Sequence, residues 1–168
     1  VHDYGGLVYS DVINLYHSKK AISAGVDGLI LVCNGAGGHT GDLSPFAFIS
    51  EVRSIFDGTI IVGGSISSGD AVLAIKALGA DMAYMGTRFI ATEESDATED
   101  YKQMILNASA NDIIKSNKIT GVNGNWLEQS LNNAGINPNA GGIQSTISGF
   151  KKMIMPLIKQ KLKVDFDV

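Results

Sequence analysis

Strand-like and helix-like segments alternate along most of this 168-residue chain, and that alternation restricts its fold more than any other feature. Apolar, β-prone runs occur at Leu7–Ile13, Asp27–Cys33, Thr59–Gly63 and Asp81–Met85. A helical pattern follows each, at Leu15–Ala24, Pro45–Phe56, Gly69–Leu78 and Ser95–Ala108. Four strand–helix units at a period of about 25 residues predict right-handed βαβ connections and a parallel α/β sheet. Local signals agree. Gly25 and Gly79 stand where a helix C-terminus favours a left-handed residue, and Ser44-Pro45 reads as an N-cap followed by a first-turn proline. Asp27–Cys33 is almost continuously apolar, as a strand covered on both faces is.

From Asn111 onward the chain is rich in Asn and Gly and shows no strand periodicity. Helices are expected at Asn125–Ala134 and Gln144–Lys161, with a loop over Gly135–Gly142. The expected organisation is therefore four strand–helix units over residues 1–110 and a helical extension over 111–168 packed on them. A complete (β/α)8 barrel usually needs about 250 residues, with a lower limit near 200. Four units leave two architectures open: an open parallel sheet, or the C-terminal half of a barrel.

Composition narrows the function classes. The net charge is −4 and the basic residues are scattered, which argues against nucleic acid or an anionic membrane surface as the main partner. The lysines at 151, 152, 159, 161 and 163 read as a solvated helix face, since Asp165 and Asp167 follow at once. Cys33 is the only cysteine, so no intrachain disulfide is possible and a reducing compartment fits. At the end of an apolar strand it reads as a buried structural thiol. No apolar run approaches the roughly 20 residues that span a bilayer, and no signal-peptide pattern opens the chain, so the expected location is cytoplasmic.

Three of the strand runs end in glycine-rich turns: Asn34-Gly35-Ala36-Gly37-Gly38-His39-Thr40-Gly41, Gly63-Gly64-Ser65-Ile66 and Met85-Gly86-Thr87-Arg88-Phe89. Glycine lets a ligand approach bare backbone, and N–H groups at strand-to-helix turns favour anions. Two such turns on neighbouring strand ends form a common phosphate site in α/β barrels. Ser65 and Thr87 add hydroxyl donors; Arg88 either neutralises phosphate or pairs with Glu93 or Glu94. Structural turns alone also account for Gly and Ser at such places. His39 is the one group in the three turns that moves a proton near neutral pH, as general base or, protonated, as stabiliser of an anion. The bland alternative is a histidine that ties its own loop together. His2 and His17 have no comparable setting. No Cys/His or Asp/His cluster has metal spacing, so no metal is expected. A Gly-x-Ser-x-Gly elbow, a Walker lysine loop and a Rossmann fingerprint are also missing.

These residues resemble the nitronate monooxygenase family, long called 2-nitropropane dioxygenases. The resemblance rests on Gly25-Val26-Asp27-Gly28, Gly35-Ala36-Gly37-Gly38-His39-Thr40-Gly41, Gly64-Ser65-Ile66, Leu78-Gly79-Ala80-Asp81 and the run Tyr84–Glu94, in family order and spacing. Thr120-Gly121 and Asn125-Trp126-Leu127 with Ser130-Leu131 look like the family's C-terminal region, more weakly. The resemblance implies an FMN-binding TIM barrel, of which the last four strands, a half-barrel over 1–110, are present. His39 falls on the family's proposed catalytic base. Gly37, Gly38, Gly64, Ser65, Tyr84, Met85, Gly86 and Thr87 fall on its cofactor-binding positions. The chain departs from many members in having Ser65 for the second glycine of a Gly-Gly-Ile turn, and Val32 and Gly35 where Gln and Glu precede the histidine motif.

The implied activity is oxidation of alkyl nitronates or nitroalkanes by O2 to a carbonyl compound and nitrite. The resemblance also implies that the family's N-terminal half-barrel is missing, leaving a fragment prone to self-association. Two alternatives stay open: a protein like the flavin-dependent enoyl-acyl-carrier-protein reductases, and a non-catalytic half-barrel that binds flavin or phosphate.

Overall fold

The computed structural model describes residues 1–138. They divide between two compact units, Val1–Ala97 and a second beginning at Thr98. Within the first, β1 (Tyr9–Val12) leads to α1 (Leu15–Ser23), β2 (Gly28–Val32), the two-residue β3 (Gly38–His39) and α2 (Pro45–Arg53). Then come β4 (Thr59–Gly63), α3 (Gly69–Ala77), β5 (Met82–Tyr84) and the single-turn α4 (Thr87–Ile90). β1, β2, β4 and β5 form one sheet in that order, every pair parallel. Sequential order with helical crossovers is the βα-unit arrangement expected of half a barrel wall.

Local chemistry sets the element ends. Asn14 caps α1 by accepting the His17 N–H at 2.8 Å, and Ser68 caps α3 by accepting that of Ala71 at 3.2 Å. Pro45 opens α2 after Ser44, while Gly25 and Gly79 take left-handed conformations just beyond α1 and α3. α2 stops at Arg53, short of the expected Phe56, and the Arg53 guanidinium reaches forward to donate to the Phe56 and Gly58 carbonyls beyond the helix.

The core lies on one face of the sheet. Leu29, Leu31, Ile60 and Val62 are fully buried there with Phe48, Ile49 and Val52 of α2, joined by Val12, Ala21 and Ile75. Burying each large apolar side chain contributes about 1.5–3 kcal/mol. On the opposite face Ile30 and Ile61 are only half-buried, and Met82, their neighbour in register, is exposed. β2 is therefore covered on one face among the described residues, not on both as its apolar run predicts.

An aspartate latch joins neighbouring strands twice. Asp27, just before β2, accepts the Val8 N–H at 2.6 Å, and Asp81, just before β5, accepts that of Ile60 at 2.8 Å. Each has a second partner: His2 Nε2 lies 2.8 Å from Asp27, and Arg53 Nη2 lies 2.8 Å from Asp81. His2, without a setting in the sequence, thus pins the start of the chain to the sheet. Arg53 also donates twice to the Gly79 carbonyl, at 2.7 and 3.0 Å, tying α2 to the α3–β5 turn.

In the second unit, α5 (Glu99–Asn107) is followed by β6 (Ile113–Ser116), β7 (Gly124–Leu127) and α6 (Glu128–Asn133). β6 and β7 pair antiparallel, with Ile114 opposite Trp126. This pairing is a correction to a purely helical reading of the Asn- and Gly-rich region: Asn125–Leu127 is strand, and the helix expected from Asn125 begins at Glu128. The helix expected at Gln144–Lys161 lies outside the described residues.

Candidate functional site

β2, β4 and β5 run parallel, so the turns that follow them leave the sheet at the same end. The first turn is anchored at its base. Cys33 N–H donates to the Gly63 carbonyl at 2.8 Å, and Asn34 N–H donates to the Leu43 carbonyl at 2.8 Å. Buried Thr40 closes the loop from within, its hydroxyl donating to the Cys33 carbonyl at 3.0 Å. His39, next to Thr40, is exposed at the loop's surface. The sequence gives no role to Thr40; its only signal is its place between His39 and Gly41.

The three turns meet. Ser65 N–H donates to the Gly35 carbonyl at 3.2 Å, and its hydroxyl donates to the Asn34 carbonyl at 3.3 Å. A Cβ on Gly35 would overlap the Ser65 hydroxyl, and one on Gly37 would overlap the Thr87 hydroxyl. A Cβ on Gly64 would lie 2.9 Å from the carbonyl oxygens of both Cys33 and Asn34. Gly35, Gly37 and Gly64 thus allow the histidine loop to sit against the turns after β4 and β5. Tyr84, paired in register with Gly63, is exposed, and Met85 beside it is half-buried.

Gly38 and Gly86 are different. A Cβ at either would meet nothing within 4 Å. Gly38 needs its glycine for a φ of +74°, but Gly86 has φ −111°, open to any residue. Neither conformation nor packing requires glycine at 86. Bare, exposed backbone therefore stands at the mouth of α4, where a ligand can approach it. Arg88, two residues on, is exposed.

Cys33 contributes no nucleophile. It is fully buried, and burial pushes its thiol up to about 12, so it stays protonated at neutral pH. Among the described residues no group of three His, Cys, Asp or Glu side chains is arranged to hold a metal ion. Nor is any helix there long and apolar enough to cross a membrane.

An α/β unit with parallel strands whose glycine turns gather around a histidine loop has the arrangement of the strand-end face of an α/β barrel wall. Residues 1–142 match the nitronate monooxygenase family model, and the chain belongs to that family. A "Probable nitronate monooxygenase" of Staphylococcus saprophyticus is 30% identical over 120 residues, 65% of this chain and 34% of the relative. A Rhodococcus jostii protein, named a dehydrogenase of a hydroxy-methyl-oxo-octahydroindene carboxyl-CoA, is 31% identical over 118 residues, 70% of this chain and 33% of the relative. The chain thus spans about one third of the length of these curated relatives. Among solved structures, nitroalkane oxidase from Streptomyces ansochromogenes superposes with a TM-score of 0.69 at 26% identity, over 75% of this chain and 40% of that one. FabK from Thermotoga maritima superposes with a TM-score of 0.70 at 22% identity, over 99% of this chain and 66% of that one, a likeness of fold.

Proposed function

We propose that this chain forms the part of an FMN-dependent nitronate monooxygenase that holds the cofactor's phosphate end and carries the proton-transfer histidine. The observation that carries the proposal is Gly86: an exposed glycine that conformation and packing do not require, at the head of α4 in the turn after β5. Family membership supports flavin-dependent oxidation of nitro compounds.

In this reading the backbone at Gly37, Gly38, Gly64, Ser65, Gly86 and Thr87 lines the FMN site, with Tyr84 and Met85 alongside. The Thr87 hydroxyl and the N–H groups opening α4 favour the phosphate, and Arg88 adds positive charge nearby. Bound flavin would supply the two-electron oxidation of substrate and delivery of those electrons to O2. An imidazole nitrogen of His39 accepts the α-proton of a neutral nitroalkane; as imidazolium, His39 balances the charge of an anionic nitronate. The products are a carbonyl compound and nitrite. The single buried Cys33 supports a reducing, cytoplasmic location.

A second reading, reduction or dehydrogenation of a thioester substrate, is favoured by the 31% identity to the CoA-thioester dehydrogenase. One experiment separates the two. The complete purified protein is assayed for an FMN absorption band, then for oxygen uptake with nitrite release from an alkyl nitronate, and for NAD(P)H consumption with an enoyl thioester. Nitrite release is expected. Stoichiometric NAD(P)H consumption without nitrite would favour the second reading, and flavin bound without either turnover would leave a binding module.

A further inference from the structure

Ser65 stands in a backbone conformation that disfavours it. Its φ is +57°, and it is the one non-glycine residue with positive φ among those described. Left-handed backbone is unfavourable for a residue that carries a side chain, and glycine would escape that cost. Something must hold Ser65 there. Two hydrogen bonds do, both to the loop that carries His39: N–H to the Gly35 carbonyl at 3.2 Å and hydroxyl to the Asn34 carbonyl at 3.3 Å. Gly35 completes the fit, because its own left-handed backbone, φ +88°, leaves no room for a Cβ beside the Ser65 hydroxyl. Behind the pair, Gly64 packs against the Cys33 and Asn34 carbonyls.

We propose that Ser65 is a positioning residue: it clamps the Asn34–Gly35 end of the histidine loop to the turn after β4, so that His39 and the cofactor's phosphate turn are held as one body. Both Ser65 donors point to the loop, so the serine acts through the loop. Thr40 holds the other limb of the same loop to Cys33, which leaves His39 between two fixed points. The inference rests on His39 being the proton-transfer group, and its test separates the two ideas.

The test compares Ser65→Ala, which loses the hydroxyl and keeps a Cβ, with Ser65→Gly, which also relieves the left-handed backbone. Amide hydrogen exchange over Asn34–Gly41 is read in the complete protein, together with FMN affinity and turnover of a neutral nitroalkane against its preformed nitronate. Both variants should exchange this loop roughly fivefold faster, as loss of one neutral hydrogen bond implies. Ser65→Gly should match or exceed the wild-type melting temperature, so faster exchange cannot be ascribed to general unfolding. Turnover of the neutral nitroalkane should fall several-fold more than that of the nitronate. Loop exchange unchanged in both variants would overturn the clamp. So would a large loss of FMN affinity with unchanged exchange, which would make Ser65 a phosphate ligand. Faster exchange with equal losses on both substrates would uphold the clamp and refute proton transfer by His39.

Discussion

Gly37 and Thr87 lie on different turns, fifty residues apart, yet a Cβ on Gly37 would overlap the Thr87 hydroxyl. The contact brings the histidine loop against the first residue of α4. Gly37→Ala should therefore separate the two turns and weaken FMN binding at least tenfold. Removing the obstructing hydroxyl as well, in Gly37→Ala/Thr87→Ala, should restore part of the loop's position but not the hydroxyl's own contribution. Flavin titration of the single and double variants measures this; additive losses would show that the two residues do not meet.

Gly86 predicts a cleaner result. A side chain there enters open space at an ordinary φ, so Gly86→Val should fold with a melting temperature near that of the wild type. FMN retention should nevertheless be lost, because the valine would fill the volume over the backbone. Unchanged flavin affinity in a folded Gly86→Val protein would remove the phosphate site from this turn.

Much of the first unit is legible in its amino-acid pattern. The apolar runs mark four parallel strands, with Thr59–Gly63 matched to the residue, and the glycine clusters mark the sheet end at which the turns gather. Legibility stops where a side chain is used for something other than its local propensity. Asp27 and Asp81 sit at the head of apolar runs, yet their side chains serve as acceptors for the neighbouring strand, a use the apolar pattern does not show. The β6–β7 pairing escapes a pattern reading because each strand is four residues long, half-exposed and flanked by Asn and Gly, which leaves almost no period-two signal. At the site, composition does not tell glycines that let turns pack, Gly35 and Gly37, from one that faces open space, Gly86. That distinction is set by tertiary neighbours alone.

His39 is exposed at the loop surface, where a substrate can reach it. His39→Asn in the complete protein should keep flavin and lower turnover of neutral nitroalkanes by about 10²–10⁴-fold, the usual contribution of a general base. A preformed nitronate needs no proton abstraction, so its oxidation should fall much less. Steady-state oxygen uptake on the two substrates reads the ratio; a ratio unchanged from wild type would assign His39 to positioning or charge balance.

The Arg53–Asp81 pair should govern the acid stability of the sheet edge. The Ile60 N–H, followed by the Arg53 guanidinium, holds the Asp81 carboxyl below its usual 3.8 in the folded chain. A carboxyl with a depressed folded-state value stabilises the fold above its unfolded value, and that contribution is lost as the pH falls below 3.8 and through the folded value. Half of the Asp81 side chain is exposed, so solvent screening limits the contribution to about 1 kcal/mol. Asp81→Asn should melt at lower temperature than wild type at pH 7, with the difference shrinking toward pH 3. Arg53→Ala should cost more, about 2 kcal/mol or above, because the carbonyls of Phe56, Gly58 and Gly79 lose a charged donor at once. Denaturant unfolding at pH 7 and pH 3 checks both. If Arg53→Ala proved no more costly than Asp81→Asn at pH 7, the carbonyl contacts would be incidental and the ion pair alone would tie α2 to the sheet.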